Sequence, residues 1–249
     1  MVNIFHERKF LKKAFTLSEA LIAMAVLGIV ATLTIVTLSN NSHRKHIVTA
    51  VRNNYSILNN AYELAVINRE SPINWNLGNS LPQAQKSVLL ANYFRPYLHI
   101  GVNCIGQGIE YTRNNCYRNI SDDSTFAYVV LANGYILGFS TIDSNCANNS
   151  FFNDKKVCGE VDLLLNIDAK SYGRDIFQFF ITTEGIIPFG LQGANQTFKL
   201  GCNPNTDTPY SAPFYKMSTC TAWVIFRENM DYLDCPDKLD WTASPECRK

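Results

Sequence analysis

Two hydrophobic patterns follow one another along this chain. From Ala20 to Leu38 there is no Asp, Glu, Lys, Arg or His. A helix rises about 1.5 Å per residue, so this run matches the roughly 30 Å hydrocarbon core of a bilayer. Its polar members are Thr32, Thr34 and Thr37, whose hydroxyls can bond back to the helix backbone, and Gly28 permits a close neighbour. Past Asn40–His46 the spacing changes. Ile47, Val51, Tyr55, Leu58, Tyr62 and Ala65 recur at steps of three or four, with Arg52, Asn53, Asn59, Asn60 and Glu63 between them. That spacing draws one apolar stripe on a helix. Together the patterns predict one long helix over 15–67 that stops before Ser71-Pro72. Its first half lies in lipid and its second half offers a stripe to a globular head.

A short helix is predicted over 83–93, ended by Arg95-Pro96. After Ser121 the pattern turns to strands. The runs 126–131 and 135–139 flank Asn133-Gly134, a hairpin signal. The run 161–167 has β character, and 176–182 and 186–189 flank Thr183-Glu184-Gly185, a second hairpin. The run 221–226 reads as a last strand. The expected fold class is α+β, with a long N-terminal helix, transmembrane in its first half, packed by its second half on a C-terminal antiparallel sheet.

Charge fixes the orientation. Arg8, Lys9, Lys12 and Lys13 face a single Glu7 ahead of the apolar run. Positive charge beside a span stays cytoplasmic, so the C-terminal bulk lies outside. With 249 residues, 47% hydrophobic, the chain can bury one good core, and a net charge of +1 gives no general nucleic-acid surface. A secretory signal peptide would have an apolar region of about 7–15 residues with the cut after it. Ala23-Met24-Ala25 has the right sizes but sits inside the run. A plain signal anchor explains the length but leaves Glu19 without a role. A carboxylate at the bilayer edge costs about a few kcal/mol unless partnered.

The junction Lys12-Lys13-Ala14-Phe15-Thr16-Leu17-Ser18-Glu19-Ala20-Leu21-Ile22 resembles the N-terminal cleavage and methylation motif of type IV prepilins and type II secretion pseudopilins. In that family a membrane-embedded aspartic peptidase cuts before the Phe and the new amino group is N-methylated. The resemblance implies a cut between Ala14 and Phe15, methylation of Phe15, and an assembly role for Glu19. Glu19 would pair with the positive N-terminus of a neighbouring subunit, and such a pair sets register. Two positions depart from the family pattern. Ala14 stands where Gly is usual, which implies slower cleavage, and Val36 stands where many members have Pro, which implies a straighter helix. The stretch from Gly173 to Gly190 and the tail from Cys220 to Tyr232 are similar to segments of bacterial pseudopilin-like proteins.

All eight cysteines, Cys104, Cys116, Cys146, Cys158, Cys202, Cys220, Cys235 and Cys247, follow the predicted span. An even count in an exported, loop-rich head reads as disulfides, and the lack of Cys-x-x-Cys argues against a zinc ribbon or redox motif. Eight cysteines allow 105 connectivities. Short loops close with least entropy, so sequential pairing is expected: 104 with 116, 146 with 158, 202 with 220, 235 with 247.

Catalytic chemistry finds little support. His99 is the single histidine in the head, so any Ser–His–Asp or Cys–His system would have to use it. It sits between Leu98 and Ile100 and reads as a packed or surface residue. No Gly-rich phosphate loop, His-x-x-x-His or Gly-x-Ser-x-Gly occurs. Carboxylates are scattered at Asp122, Asp123, Asp154, Glu160, Asp162, Asp168 and Asp175. The segment 166–175 could wrap calcium through Asp168 and Asp175. Lys170 and Arg174 within it favour a solvated turn instead. The aromatics Phe177, Phe179, Phe180, Phe189, Phe214, Tyr215, Trp223 and Trp241 read mostly as core.

The expected organisation is a cytoplasmic leader at 1–14, a transmembrane and assembly helix at 15–38, an amphipathic continuation at 39–70 and a pilin-like head at 71–249. The resemblance implies a non-catalytic assembly subunit of a type IV pilus, type II secretion or DNA-uptake filament. It would be held in the bacterial inner membrane with its head outside. Its partners would be the prepilin peptidase, other pilin or pseudopilin subunits, an inner-membrane assembly platform and the lipid bilayer. The alternative is a membrane-anchored extracytoplasmic binding or adhesion module that does not polymerise. No cofactor beyond that weak calcium candidate is expected.

Overall fold

A computed structural model describes residues 17–148, 152, 155–191, 198–203, 217–242 and 246–247, without the side chains of residues 31–40 and 200. The chain divides into two units after His43, a boundary that falls within the first helix, α1, Leu17–Arg69. In the first unit the large apolar side chains of α1 from Leu17 to Val30 are all exposed, Leu17 by 80% and Met24 by 71%.

The second unit is built on the predicted stripe. Ile47, Val51, Leu58, Tyr62 and Ala65 are buried, joined by Val48, Ala50 and Ala61. α1 ends at Arg69, three residues before Pro72, which opens a short 3-10 turn. Helix α2 (Gln83–Phe94) follows, then strand β1 (Ile100–Asn103), helix α3 (Ile109–Asn115), and strands β2 (Ala127–Leu131), β3 (Ile136–Thr141), β4 (Val157–Leu164), β5 (Ile176–Thr182) and β6 (Ile186–Pro188). Helices α4 (Phe198–Gly201) and α5 (Cys220–Arg227) complete the order. The six strands form one antiparallel sheet in chain order, so every connection joins neighbours.

Strand alternation sorts the side chains onto two faces. Val129, Leu137, Phe139, Val161, Leu163, Phe177 and Phe179 share one cluster with the α1 stripe and with Leu90, Ala91 and Phe94 of α2. Tyr55 stacks on Phe179 with ring centroids 5.4 Å apart and donates its hydroxyl to the Ile186 carbonyl at 3.1 Å. Tyr62 donates to the Thr182 carbonyl at 3.0 Å. On the opposite face Tyr128, Ile136, Leu164 and Ile176 pack with Ile120, Ala169 and Cys116.

Both predicted hairpins form. Gly134 supplies the positive φ of the β2–β3 turn at 86°, and Asn133 donates to Asn54 Oδ1 of α1 at 3.1 Å. The strand expected at 161–167 runs Val157–Leu164 instead, because its pairing with β3 begins at Thr141↔Gly159. The last strand expected at 221–226 is a correction: those residues lie in α5. The sheet edge that α5 packs beside is β6, a poor edge for a seventh strand. Pro188 lacks an N–H there, and the Ile186 carbonyl is taken by Tyr55. β1 and α3 had no strong periodic signal.

Candidate functional site at the start of the first helix

Glu19 lies in the first turn of α1 as described, and it is exposed. A carboxylate at a helix N-terminus interacts favourably with the aligned peptide dipoles, by about 0.3–1 kcal/mol. From Glu19 the helix continues through Leu21, Ile22, Met24, Val26, Leu27, Ile29 and Val30, each more than half exposed. These positions advance by 100° per residue and so surround the helix. A helix apolar all round is stable when lipid or other helices cover it. The arrangement can therefore place one negative charge at the rim of a surface that demands an apolar environment.

Ala14, Phe15, Lys12 and Lys13 lie outside the described residues. Among those described, no helix is long and apolar enough to cross a membrane. The expected span over 15–38 includes residues 15 and 16, and side chains 31–38, that are outside them.

The head carries the remaining candidates. All four disulfides join the sequential partners: Cys104–Cys116, Cys146–Cys158, Cys202–Cys220 and Cys235–Cys247. The first pins α3 to the end of β1, and the third fastens the N-terminus of α5 to the end of α4. Asp168 and Asp175 are engaged separately. Asp168 accepts from Arg118 Nη1 at 2.6 and 2.7 Å. The Asp175 carboxylate accepts the backbone N–H groups of Lys170 and Ser171 at 3.0 and 2.6 Å, so it closes a turn. Among the described residues no group of three or more His, Cys, Asp or Glu could hold a metal ion. His99 is exposed beside β1.

Of the aromatic residues singled out in the sequence, Phe177, Phe179, Phe180, Phe189 and Trp223 are buried core. Trp241 packs against Trp223, with centroids 5.1 Å apart. Phe214 and Tyr215 lie outside the described residues. A cleft of about 330 Å³ runs between Tyr55, Asn59 and Glu63 of α1 and the 184–188 segment, with exposed Phe226 at its edge. Sequence reasoning had no signal for it, because it forms between residues more than a hundred positions apart.

A family model described as the prokaryotic N-terminal methylation motif matches residues 9–35. The match spans Lys9, Lys12 and Lys13, the Ala14-Phe15 junction, Glu19 and most of the apolar run. It supports a type IV pilin- or pseudopilin-like protein with a prepilin-type motif. The motif implies processing by prepilin peptidase, a membrane-anchored precursor and assembly with other pilin subunits. No curated protein matches the chain significantly, and no solved structure does.

Proposed function

We propose that the chain is a structural assembly subunit, a pilin or pseudopilin, of a type IV pilus, type II secretion or DNA-uptake filament. One observation carries this reading: within the matched motif, an exposed helix apolar on every side begins with a single carboxylate, Glu19. Residues 1–14 are the leader, Phe15 is the methylated first residue after the cut at Ala14, and Lys12 and Lys13 hold the leader in the cytoplasm. Residues 15–38 anchor the precursor in the inner membrane and later form the packing surface between subunits. Residues 39–70 carry the helix into the head at 71–249, and the assembly platform of the inner membrane lifts the subunit.

In this mechanism Glu19 meets the methylated amine of the preceding subunit as the helix leaves lipid. Pairing removes the desolvation penalty of both charges and allows one stagger between neighbours. A one-residue slip would leave both ions unpaired in an apolar bundle. Residue 19 is then required for polymerisation and not for anchoring or cleavage.

Two measurements test this. Mass spectrometry of the mature N-terminus should give a methylated Phe15, and an intact leader or a start after Ala25 would overturn the processing step. Glu19→Ala should keep membrane anchoring and cleavage while incorporation into filaments is lost. Normal filament assembly by that variant would leave the membrane-anchored binding module as the better reading.

A further inference from the structure

The second face of the sheet holds two carboxylates with no cationic neighbour among the described residues. Glu160 and Asp162 are two residues apart on β4, so both side chains leave the same face. Their cross-strand partners are Ser140 and Gly138 on β3, and Phe180 and Gln178 on β5. Asp162 is 7% exposed and Gln178 1%, while Glu160 is half-buried. The Tyr172 hydroxyl donates to Asp162 Oδ2 at 2.7 Å, and Gln178 Nε2 donates to Glu160 Oε2 at 2.6 Å. Two buried oxygens among these groups then have no hydrogen-bond partner among the described residues, Asp162 Oδ1 and Gln178 Oε1. They belong to residues directly opposite one another in the β4–β5 register.

Both orphans are acceptors, so they cannot bond each other while Asp162 is ionised. Turning the Gln178 amide over would offer Nε2 to Asp162 but set Oε1 against the Glu160 carboxylate. A single proton on Asp162 Oδ1 removes both deficits. We propose that Asp162 is held as a neutral acid donating Oδ1–H to Gln178 Oε1, so that Tyr172, Asp162, Gln178 and Glu160 form a proton-binding site in the head. Every donor in that chain then has an acceptor, and the one remaining negative charge sits on Glu160, the more exposed of the two carboxylates.

The surroundings favour one proton on the pair. Burial raises both carboxyls above the ordinary carboxylate range, and an ionised Asp162 would raise Glu160 further; the two orphaned oxygens are what place the shared proton on Asp162. Hydrogen bonds from Gln178 and Tyr172 pull the other way. On the β2 side the group facing Asp162 is Tyr128, with Tyr117 packed on it at 5.4 Å, and burial raises both phenols. Gly138 on β3 and Gln178 on β5 stand opposite Asp162, and Ser140 and Phe180 stand opposite Glu160; none of these residues is cationic. A proton suits the site better than a metal ion does. Calcium takes about six to eight oxygens, and the Tyr128 ring lies so close over Gly138 that a Cβ there would meet it at 2.6 Å.

A carboxyl whose folded pKa exceeds its unfolded value binds more protons when folded. The stability it contributes is full below about pH 4 and is lost as pH rises through the raised folded value. The head is therefore tightest in mildly acidic surroundings. The test is thermal unfolding of the full-length chain in detergent, followed by tryptophan fluorescence with chelator present, from about pH 5 to about pH 8.5. The wild-type midpoint should fall by about 5 °C or more. In Asp162→Asn the amide donates to Gln178 at every pH, so the midpoint should stay nearly level and exceed wild type at the alkaline end. A level or rising wild-type midpoint would overturn the site, as would a variant that falls as steeply. Millimolar calcium that rescues the wild type but not Asp162→Asn at alkaline pH would assign the oxygens to a cation instead. Infrared spectroscopy at neutral pH supplies a readout on the wild type alone: a protonated carboxyl stretch is expected, and its absence overturns the proposal.

Discussion

Gly190 shows how much a single residue can settle. Its φ is 92°, and a Cβ there would lie 1.8 Å from the Thr219 carbonyl oxygen. This close approach lets α5 reach the end of β6, where the Ala222 N–H donates to the Phe189 carbonyl at 2.9 Å. Gly190→Ala must both strain the backbone and push Thr219 away, and should lose more than about 2 kcal/mol. Gly134 has a similar φ of 86° but nothing within 4 Å of its would-be Cβ. Gly134→Ala keeps only the conformational penalty, about 1 kcal/mol. Denaturant midpoints should rank the two variants in that order, and equal losses would remove the Thr219 contact from the argument. At this scale the sequence was partly legible. Asn133-Gly134 announced its turn through the dipeptide itself. Gly190 did not, because its constraint comes from Thr219, about thirty residues away.

The same division holds for whole elements. The long helix, α2 and both hairpins were readable because each is set by its own periodicity or turn residues. The disulfide pairs were readable because loop-closure entropy favours neighbours in sequence. β1 and α3 were not, since four and seven residues carry little periodicity, and Cys104–Cys116 holds them together. α5 was misread for a related reason. Thr221, Val224 and Ile225 are β-branched, but propensity is a weak prior that tertiary packing overrides, and the neighbouring β6 edge carries Pro188. As a helix, α5 buries Cys220, Trp223 and Val224 on one face and docks through a buried side chain. Thr221 Oγ1 accepts the Gln178 backbone N–H at 2.9 Å and donates to the Ser218 carbonyl at 3.2 Å. Thr221→Val keeps the shape but leaves that buried N–H without an acceptor, a loss of about 1–3 kcal/mol. Hydrogen exchange at the Gln178 amide should accelerate together with the fall in stability. A stability loss without that local change would mean that packing, and not docking, is what Thr221 provides. Glu160 and Asp162 stood in the sequence as two carboxylates at strand spacing, but their burial depends on Tyr128, Tyr172 and Gln178 from other segments.

At the scale of the molecule the two units make opposite demands on their surroundings. The first exposes apolar side chains from Leu17 to Val30, and none of them joins a core cluster. The second begins its buried stripe at Ile47 and closes on itself through ion pairs from α1 to the C-terminal segment. Arg44 holds Asp234 by two bonds of 2.5 and 2.9 Å, and Arg52 meets Glu228 at 2.9 Å. Among the described residues, none before Arg44 belongs to a core cluster. A chain starting at Asn40 should fold without detergent and unfold at the same midpoint as the head of the full-length protein. A chain starting at Asn53 loses both ion pairs and the buried side chains of Ile47, Val48, Ala50 and Val51. At about 1.5–3 kcal/mol for each large aliphatic side chain, that loss rivals the whole stability of an ordinary domain, about 5–15 kcal/mol. The shorter chain should be unfolded or aggregated at room temperature. If the chain starting at Asn40 instead melted well below the full-length protein, the first unit would be supporting the head and not only anchoring it. Glu19 and the apolar run would then have a folding role in the isolated subunit, beyond any role they take in a filament.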